Sequence, residues 1–399
     1  MGKILHVTAC TGNYPDGQKI NKAVVAYDCD LGMNVTADCF AVEGRTITDV
    51  HVEQNTVALL LDNVREQAAS LFPPMPPRPK PKPGEKIGGP PRDLPPTKLL
   101  PIQVSVAQVG EILDAAGDVI APDGVAHMSE FIKEPIVEEF VQAEFAGIPY
   151  NLYSPKNMED GKEYPLVMFI HDAGPCGPDP KITLAQGSGA IGFASPEWQK
   201  EHPCFVLAPQ IDRSVHLTND DFTCSKEIYD IKTLLDYVVD TNPVDKNRIY
   251  TTGQSMGCMA SCELNILYPD LFAASLLVAG QWSPERMAQT YNGNKYWILV
   301  SEHDAKAFPG MNAVTDALEG VGVEVARYHW DGKAGGEELT ELAHKVVVER
   351  NVNVRYTVFN DSSVVPEWED DNPGTNHVNT WPVAYGITGL KEWLFSQSK

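Results

Sequence analysis

The chain has 399 residues, of which 43% are hydrophobic and 21% are charged, and its formal net charge is −23 at pH 7. This length and composition are typical of a globular protein that buries one large core or two separate ones. Because an acidic surface repels nucleic-acid phosphates and anionic lipid headgroups, we expect neither a nucleic-acid partner nor a membrane-surface partner.

The N-terminal residues bear on location. The sequence has no uninterrupted apolar run of the roughly 18 residues that a membrane helix needs. The first residues, MGKILHVTACTGNYPDG, lack the apolar centre of a secretion signal, which favours a cytoplasmic protein. A secreted protein whose signal had been removed would give the same pattern, so the location stays open.

The eight cysteines give information about metal sites and redox state. They contain neither a CxxC pair nor a CxxC…HxxxH pattern, which predicts that there is no zinc site. In a chain of this length they are interpreted as buried, reduced thiols. A disulfide among the cysteines of the loops stays open.

The first third of the chain has the pattern of short β-strands. Runs at 20–31, 45–52, 55–62 and 101–109 are separated by turn residues, and no long helical period appears before about residue 135. We therefore predict a small β-sandwich over residues 1–136. Proline dominates residues 73–101, which we interpret as an extended loop or spacer, or as a ligand for a proline-recognising domain.

From residue 137 to residue 399 the pattern changes to that of an α/β domain. Apolar strands are predicted at 164–171, 204–210, 248–253, 273–280, 296–301 and 354–359, and helices at 230–240, 255–268, 311–322 and 338–350. This alternation is typical of a mostly parallel sheet that is covered by helices on both faces.

A serine lies between two glycines in GQSMG (253–257), after the strand-like run RIYTT and before an apolar helix-like stretch. This is the context of a nucleophile elbow, where a sharp strand-to-helix turn exposes the serine hydroxyl. The pattern predicts Ser255 as a nucleophile and the Met256 amide as an oxyanion donor. The loop HDAG (171–174) follows an early strand and offers the Ala173 amide as the second donor. Turns without chemistry are the alternative for both segments.

In such an elbow architecture the chain order is serine, then acid, then histidine. Asp304 follows the strand at 296–301 and is the predicted acid, with Glu302 as the weaker candidate. His377 is the predicted base, because it lies in what we interpret as a long polar loop that can move into the site. The other downstream histidines are interpreted as pocket-lining, packed or surface residues: His303, His329 and His344.

Several segments together resemble a known family. YPLVMFIHDAG, NPVDKNRIYTTGQSMG, YPDLFAASLLVAG, the HD after WILVS, and HVNTWPVAYGITGLKEWLFSQ are similar to α/β-hydrolases of the polyhydroxybutyrate-depolymerase-like esterase group. The resemblance implies an α/β-hydrolase domain preceded by an immunoglobulin-like domain, which FAVEGRTITDVHV resembles. It also implies ester hydrolysis through an acyl-enzyme, without a cofactor or a metal, with Ser255, Asp304 and His377 as the triad.

Two positions depart from that family's pattern. Asp172 stands where the family usually has the second residue of HGAG, a glycine, and Cys258 stands where it usually has the last glycine of GxSMGG. An aspartate at this place could oppose negative charge in the oxyanion site, or it could point away and anchor the loop. Both departures leave the substrate preference open.

The predicted function is a serine carboxylesterase that hydrolyses short-chain or aryl esters, with a small molecule or a polyester oligomer as the substrate. A serine peptidase on the same fold and a non-catalytic binding protein with a decayed hydrolase domain are the alternatives. Three tryptophans are candidates for contact with an aryl or acyl group, or for simple packing: Trp282, Trp330 and Trp381. The N-terminal domain could limit access to the pocket or mediate a homo-oligomer, and the sequence does not choose between these roles.

Overall fold

The structure is a computed structural model that describes residues 2–62, 69–73 and 95–399. The described residues fall into two units. The first contains the residues before position 74 together with Lys98–Glu139, and the second contains residues 95–97 together with Phe140–Lys399. Most of the proline-rich segment at 73–101 lies outside the described residues.

The first unit is built from β-strands. Its strands are β1 (Ile4–Tyr14), β2 (Gly17–Tyr27), β3 (Phe40–Val42), β4 (Ile47–Glu53), β5 (Thr56–Leu61), β6 (Ala69–Ser70), β7 (Ser105–Gln108), β8 (Ile112–Leu113), β9 (Val119–Ile120), β10 (Ala126–Met128) and β11 (Phe131–Lys133). The largest sheet has the order β11-β1-β2-β5-β4, with β6 paired to β2. A second sheet has the order β10-β7-β3, and β8 pairs with β9.

Alternating side chains form the core of this unit. Val7 and Ala9 of β1, Val25 of β2, and Val57 and Leu59 of β5 are fully buried. Because successive side chains of a strand point to opposite faces, these residues form one apolar face of the largest sheet. Strands β2, β4 and β5 overlap the predicted runs, whereas β1 was not predicted.

The second unit is a nine-stranded sheet with helices between its strands. Its strands are β12 (Val141–Phe145), β13 (Ile148–Tyr153), β14 (Tyr164–Ile170), β15 (Phe205–Pro209), β16 (Val244–Gln254), β17 (Ala274–Val278), β18 (Tyr296–Ser301), β19 (Val325–Trp330) and β20 (Val354–Phe359). Its helices are α1 (Lys181–Ala185), α2 (Ser188–Ala194), α3 (Pro196–Glu201), α4 (Glu227–Thr241), α5 (Met256–Leu267), α6 (Pro284–Gln289), α7 (Ala307–Gly320), α8 (Gly336–Glu349), α9 (Pro373–Gly386) and α10 (Thr388–Phe395).

The sheet is mostly parallel. Its order is β12-β13-β15-β14-β16-β17-β18-β20-β19, and only the pairs that involve β13 are antiparallel. Strands β14, β15, β17, β18 and β20 are buried along their whole length. Continuous apolar strands of this kind are expected where helices cover both faces of a parallel sheet. The α/β architecture predicted from the sequence is therefore confirmed.

Both faces of the sheet carry an apolar core. Helices α4, α5 and α7 cover one face, where their buried residues join apolar clusters with the strands. On the opposite face, Phe169 of β14 packs edge-on against Tyr385 of α9, and Trp297 of β18 packs against Trp393 of α10. Between these two layers, the carboxyl ends of the parallel strands β14, β16, β17 and β18 lie at one edge of the sheet.

Two further findings concern the whole described chain. None of the described helices combines the length and the apolar character that crossing a membrane requires. The eight cysteines are free thiols, and six of them are buried.

Candidate active site

Ser255 lies at the sharp turn between β16 and α5. Its φ of 51° and ψ of −114° form a strained backbone conformation that costs on the order of 1–3 kcal/mol in a residue other than glycine. The flanking glycines permit this turn, because a Cβ at Gly257 would lie 1.8 Å from the Ile170 carbonyl oxygen and one at Gly253 would lie 2.6 Å from the Gly257 carbonyl. Helix α5 therefore begins in direct contact with the end of β14, as in a nucleophile elbow.

Three side chains from distant parts of the chain meet at this turn. The Ser255 Oγ lies 2.9 Å from Nε2 of His377. The other ring nitrogen of His377, Nδ1, lies 2.5 Å from Oδ2 of Asp304. The structure thus brings together the three residues that the sequence singles out for a triad.

The charge state of Asp304 determines which nitrogen of His377 carries a proton. The Asp304 side chain is only 3% exposed. Burial raises the pKa of the Asp304 carboxyl, but the hydrogen bond and charge of His377 and two backbone amides outweigh it and hold the pKa below its ordinary value. Those amides, of Lys306 and Ala307, each donate to Oδ1 at 3.0 Å. The ionised carboxylate can only accept, so Nδ1 of His377 donates to it, and Nε2 is left to accept the Ser255 proton.

His377 does not lie in a loop, and that sequence prediction is wrong. It lies in the first turns of α9, which begins after Asn372. The Asn372 side chain accepts from the amides of Gly374 and Thr375, and the Thr375 hydroxyl accepts from the Asn372 amide, which together form a capping box. With Pro373 in the first helical position, this cap fixes the start of the helix, so the imidazole is held by a rigid element.

The remaining acid and histidine candidates are not in contact with Ser255. Glu302 is exposed, and its Oε2 accepts from the Asp361 amide at 3.1 Å. His303 lies beside the site, with Nδ1 3.3 Å from Asp361 Oδ1 and 3.5 Å from Asp371 Oδ1. His329 is exposed on β19, and His344 of α8 pairs with Glu392 of α10.

The two predicted oxyanion donors lie at the start of α5 and in the loop after β14. Met256 is the first residue of α5, so its amide has no carbonyl partner within the helix. Ala173 lies in the loop after β14, and its amide donates to no carbonyl among the described residues. Neither N–H group has a carbonyl partner in the part of the chain that the structure describes, and a donor for developing negative charge needs to be unoccupied in this way.

Of the three tryptophans that were candidates for contact with a substrate, two are buried and one is partly exposed. Trp282 is fully buried, and its indole N–H donates to Glu263 at 2.9 Å, while Trp330 is 4% exposed. Both tryptophans are packing residues, and the prediction that they contact a substrate is wrong. Trp381 is half-buried, and its ring stands edge-on to that of His377 with 5.3 Å between their centroids.

The arrangement suits acyl transfer. A serine hydroxyl, an imidazole that can take its proton, a carboxylate behind the imidazole and two free amides are the parts that this chemistry requires. Over the described ranges, no cluster of three or more His, Cys, Asp and Glu side chains could hold a metal ion.

Sequence reasoning missed two residues that support the site, Gln254 and Arg213. Gln254 precedes Ser255 and contacts the Asp172 carboxylate, and Arg213 contacts the carbonyls of the loop after β14. Asp172 carried a signal, because it departs from a familiar motif. Arg213 carried none, since nothing in its local sequence shows that it reaches a loop 40 residues away.

Comparison with solved structures found chains that are similar to this one. A thermostable esterase is similar over 99% of this chain and 100% of its own, with a TM-score of 0.80 and 24% sequence identity. A feruloyl esterase module from Clostridium thermocellum in complex with sinapinate covers 62% of this chain and 87% of its own, with a TM-score of 0.41 and 11% identity. An acylaminoacyl peptidase from Pyrococcus horikoshii covers 65% of this chain and 41% of its own, with a TM-score of 0.42 and 12% identity. Neither a family model nor a curated relative matches the sequence. The first likeness shows that this chain has the mixed α/β fold of that esterase.

Proposed function

We propose that this protein is a serine carboxylesterase. Ser255 attacks the ester carbonyl while His377 takes its proton, and Asp304 orients and stabilises the imidazolium that forms. The amides of Met256 and Ala173 hold the oxyanion of the tetrahedral intermediate. The alcohol then leaves with the proton from His377, and water releases the acid from the acyl-enzyme by the same steps.

One observation carries the proposal. The contacts from Ser255 to His377 at 2.9 Å and from His377 to Asp304 at 2.5 Å form a continuous hydrogen-bonded chain at a strained elbow. The Met256 and Ala173 amides, which have no carbonyl partner over the described ranges, add to it. A decayed hydrolase that serves as a binding protein would have no reason to keep all of these parts aligned.

The ester class is inferred from likeness. The full-length similarity to a thermostable esterase favours an ester over a peptide bond as the substrate. We infer a relationship to the polyhydroxybutyrate-depolymerase-like esterases, with short acyl, aryl or polyester oligomer esters as the candidates. We also infer that residues 1–136 form an immunoglobulin-like domain and residues 137–399 the hydrolase domain, which the antiparallel pairing of β1, β2, β5 and β4 supports.

The test compares wild type with Ser255→Ala on p-nitrophenyl acetate. We expect kcat to fall by about 10⁴- to 10⁶-fold, because the nucleophile is lost while the fold stays intact. Ser398→Ala, which removes an exposed hydroxyl near the C-terminus, is the matched control and should retain wild-type rates. Equal rates for wild type and Ser255→Ala would remove the serine from the mechanism.

The two alternatives have their own readouts. A panel of esters with matched p-nitroanilides separates an esterase from a peptidase, and faster cleavage of the amides would favour the peptidase. A fluorophosphonate probe should label folded wild type at Ser255. A folded protein that the probe fails to label would instead be a binding protein.

A further inference from the structure

In the loop after β14, residues 171–174, three backbone carbonyls accept hydrogen bonds from side chains. His171 is fully buried, and burial lowers the pKa of its imidazole, which is therefore neutral. Its Nε2 accepts from the Ile211 amide at 2.9 Å, so its Nδ1 carries the proton and donates to the Asp172 carbonyl at 2.6 Å. The tautomer is thus set by two backbone groups, the Ile211 amide just after β15 and the Asp172 carbonyl.

Arg213 holds the next two carbonyls. Its Nη1 donates to the Ala173 oxygen at 2.7 Å, and its Nη2 donates to the Gly174 oxygen and to the Thr97 hydroxyl. A planar guanidinium presents its donors in a rigid fork, so it fixes two successive peptide planes at once. With these carbonyls turned toward Arg213, the peptide planes of the loop have a defined orientation.

The Asp172 side chain holds the loop from another direction. Its Oδ2 accepts from the Gly174 amide at 2.9 Å, and its Oδ1 accepts from Nε2 of Gln254, also at 2.9 Å. Gln254 is 2% exposed and directly precedes Ser255. The carboxylate therefore joins the loop at 171–174 to the elbow, and it accepts from two donors, whereas the Ala173 amide donates to no carbonyl in the described part of the chain.

We propose that Asp172 and Gln254 are positioning residues that fix the Ala173 amide relative to Ser255. The inference rests on the proposed function, in which that amide binds the oxyanion. Catalysis by preorganised amides depends on their being in place before charge develops. The aspartate thus acts as an anchor of the loop.

Reversing the polarity of the Asp172–Gln254 hydrogen bond tests the proposal. Gln254→Glu sets two carboxylates against each other, so we expect kcat for an ester to fall by about 100-fold with a smaller change in KM. Asp172→Asn should lose only a few-fold, because the introduced amide oxygen can still accept from Gly174. The Gln254 amide can rotate together with that of Gln186, whose Oε1 accepts from Gln254 Nε2 at 3.1 Å. In the double variant the introduced asparagine donates to the introduced glutamate, and kcat should return to within a few-fold of wild type.

A pH profile separates positioning from a general loss of structure. Two carboxylates in contact share a proton, so the rate of Gln254→Glu relative to wild type at each pH should rise as the pH falls. Gln142→Glu on the exposed edge strand β12 adds the same charge far from the loop and should follow wild type at every pH. Thermal unfolding of each variant confirms that it is folded.

Hydrogen exchange of the peptide over residues 171–176 gives a readout that needs no substrate. We expect faster exchange in Gln254→Glu and wild-type exchange in the double variant. A double variant as impaired as Gln254→Glu in both rate and exchange, or a Gln254→Glu variant equal to wild type, would overturn the positioning role. A wild type that exchanges as expected but hydrolyses no ester would overturn the proposed function alone.

Discussion

The Ser301 hydroxyl donates a hydrogen bond of 2.8 Å to Oδ1 of Asn376, and both side chains are fully buried. Ser301 is the last residue of β18, three positions before Asp304, and Asn376 directly precedes His377. The bond therefore joins the strand that presents the acid to the helix that presents the base. Asn376 also donates to Asp371 at 2.6 Å and to the Asn372 carbonyl at 3.0 Å.

Replacing Asn376 should separate positioning from chemistry. We expect Asn376→Ala to lower kcat by about tenfold with little change in KM, because small displacements of a catalytic group are costly while substrate contacts remain. The variant should also lose about 1–3 kcal/mol of unfolding free energy, since buried partners are left unpaired. Asn379→Ala, one turn further along α9, is the control, and an equal loss of kcat there would contradict a specific role for Asn376.

The stability that Asp304 supplies should depend on pH. Its pKa in the fold lies below the ordinary aspartate value of 3.8, so the unfolded chain takes up a proton first as the pH falls. The stabilisation is therefore complete above the unfolded value and is lost as the pH falls through the lower, folded value. We expect the difference in unfolding free energy between wild type and Asp304→Asn to be constant near neutral pH and to shrink below pH 3.8.

Urea unfolding at a series of pH values measures this difference. Asp316→Asn on α7 is the control, because that side chain is 70% exposed. Asp304→Asn should also lower kcat by about 10⁴-fold at neutral pH, since an amide selects the wrong tautomer of His377. A stability difference that grows toward low pH would contradict the assignment of an ionised Asp304.

Cys258 packs against Gly280, where there is no room for a larger residue. A Cβ at Gly280 would lie 2.6 Å from both Cβ and Sγ of Cys258. We expect Gly280→Ala to destabilise the protein by about 1–3 kcal/mol through overpacking. Adding Cys258→Gly should recover most of that loss, since it removes both opposing atoms. A double-mutant cycle in urea measures the coupling, and strictly additive losses would contradict this packing account.

The elbow and the acid could be predicted from the sequence because their signals are local. GQSMG between a strand and a helix requires only short-range geometry, and Asp304 follows its strand end by a few residues. The strand β1 was missed, because its residues form a strand only when β2 supplies the partner. Local pattern alone does not carry that pairing.

The secondary structure around His377 could not be predicted from the local sequence pattern. The segment NPGTNHVNTW is rich in polar and turn-forming residues, which hides the helical period and favoured a loop. The start of α9 depends on a capping box between Asn372 and Thr375, and such a cap outweighs weak propensity. Long-range contacts such as that of Arg213 with Ala173 leave no trace in either local sequence.

Lys391 of α10 lies in an apolar setting away from the site. Its Nζ is 4.8 Å from the ring centroid of Trp198 and 5.8 Å from that of Phe193, and it donates to the Gly192 carbonyl. Burial lowers the pKa of this amine from 10.5 to about 8. The charged form is thus less stable in the fold than in the unfolded chain.

The resulting pH dependence has the same sign as that of Asp304 but falls in an alkaline window, because both pKa values are lower in the fold than in the unfolded chain. Between about pH 8 and pH 10.5 the unfolded chain holds a proton that the folded protein has lost, so unfolding free energy should rise with pH across this window. Discounted for partial access of water, the rise is on the order of 2 kcal/mol. Lys391→Met should remove this rise, whereas Lys345→Met at an exposed position of α8 should keep it. Urea unfolding at pH values across the window measures it, and identical slopes for wild type and Lys391→Met would refute a depressed amine pKa.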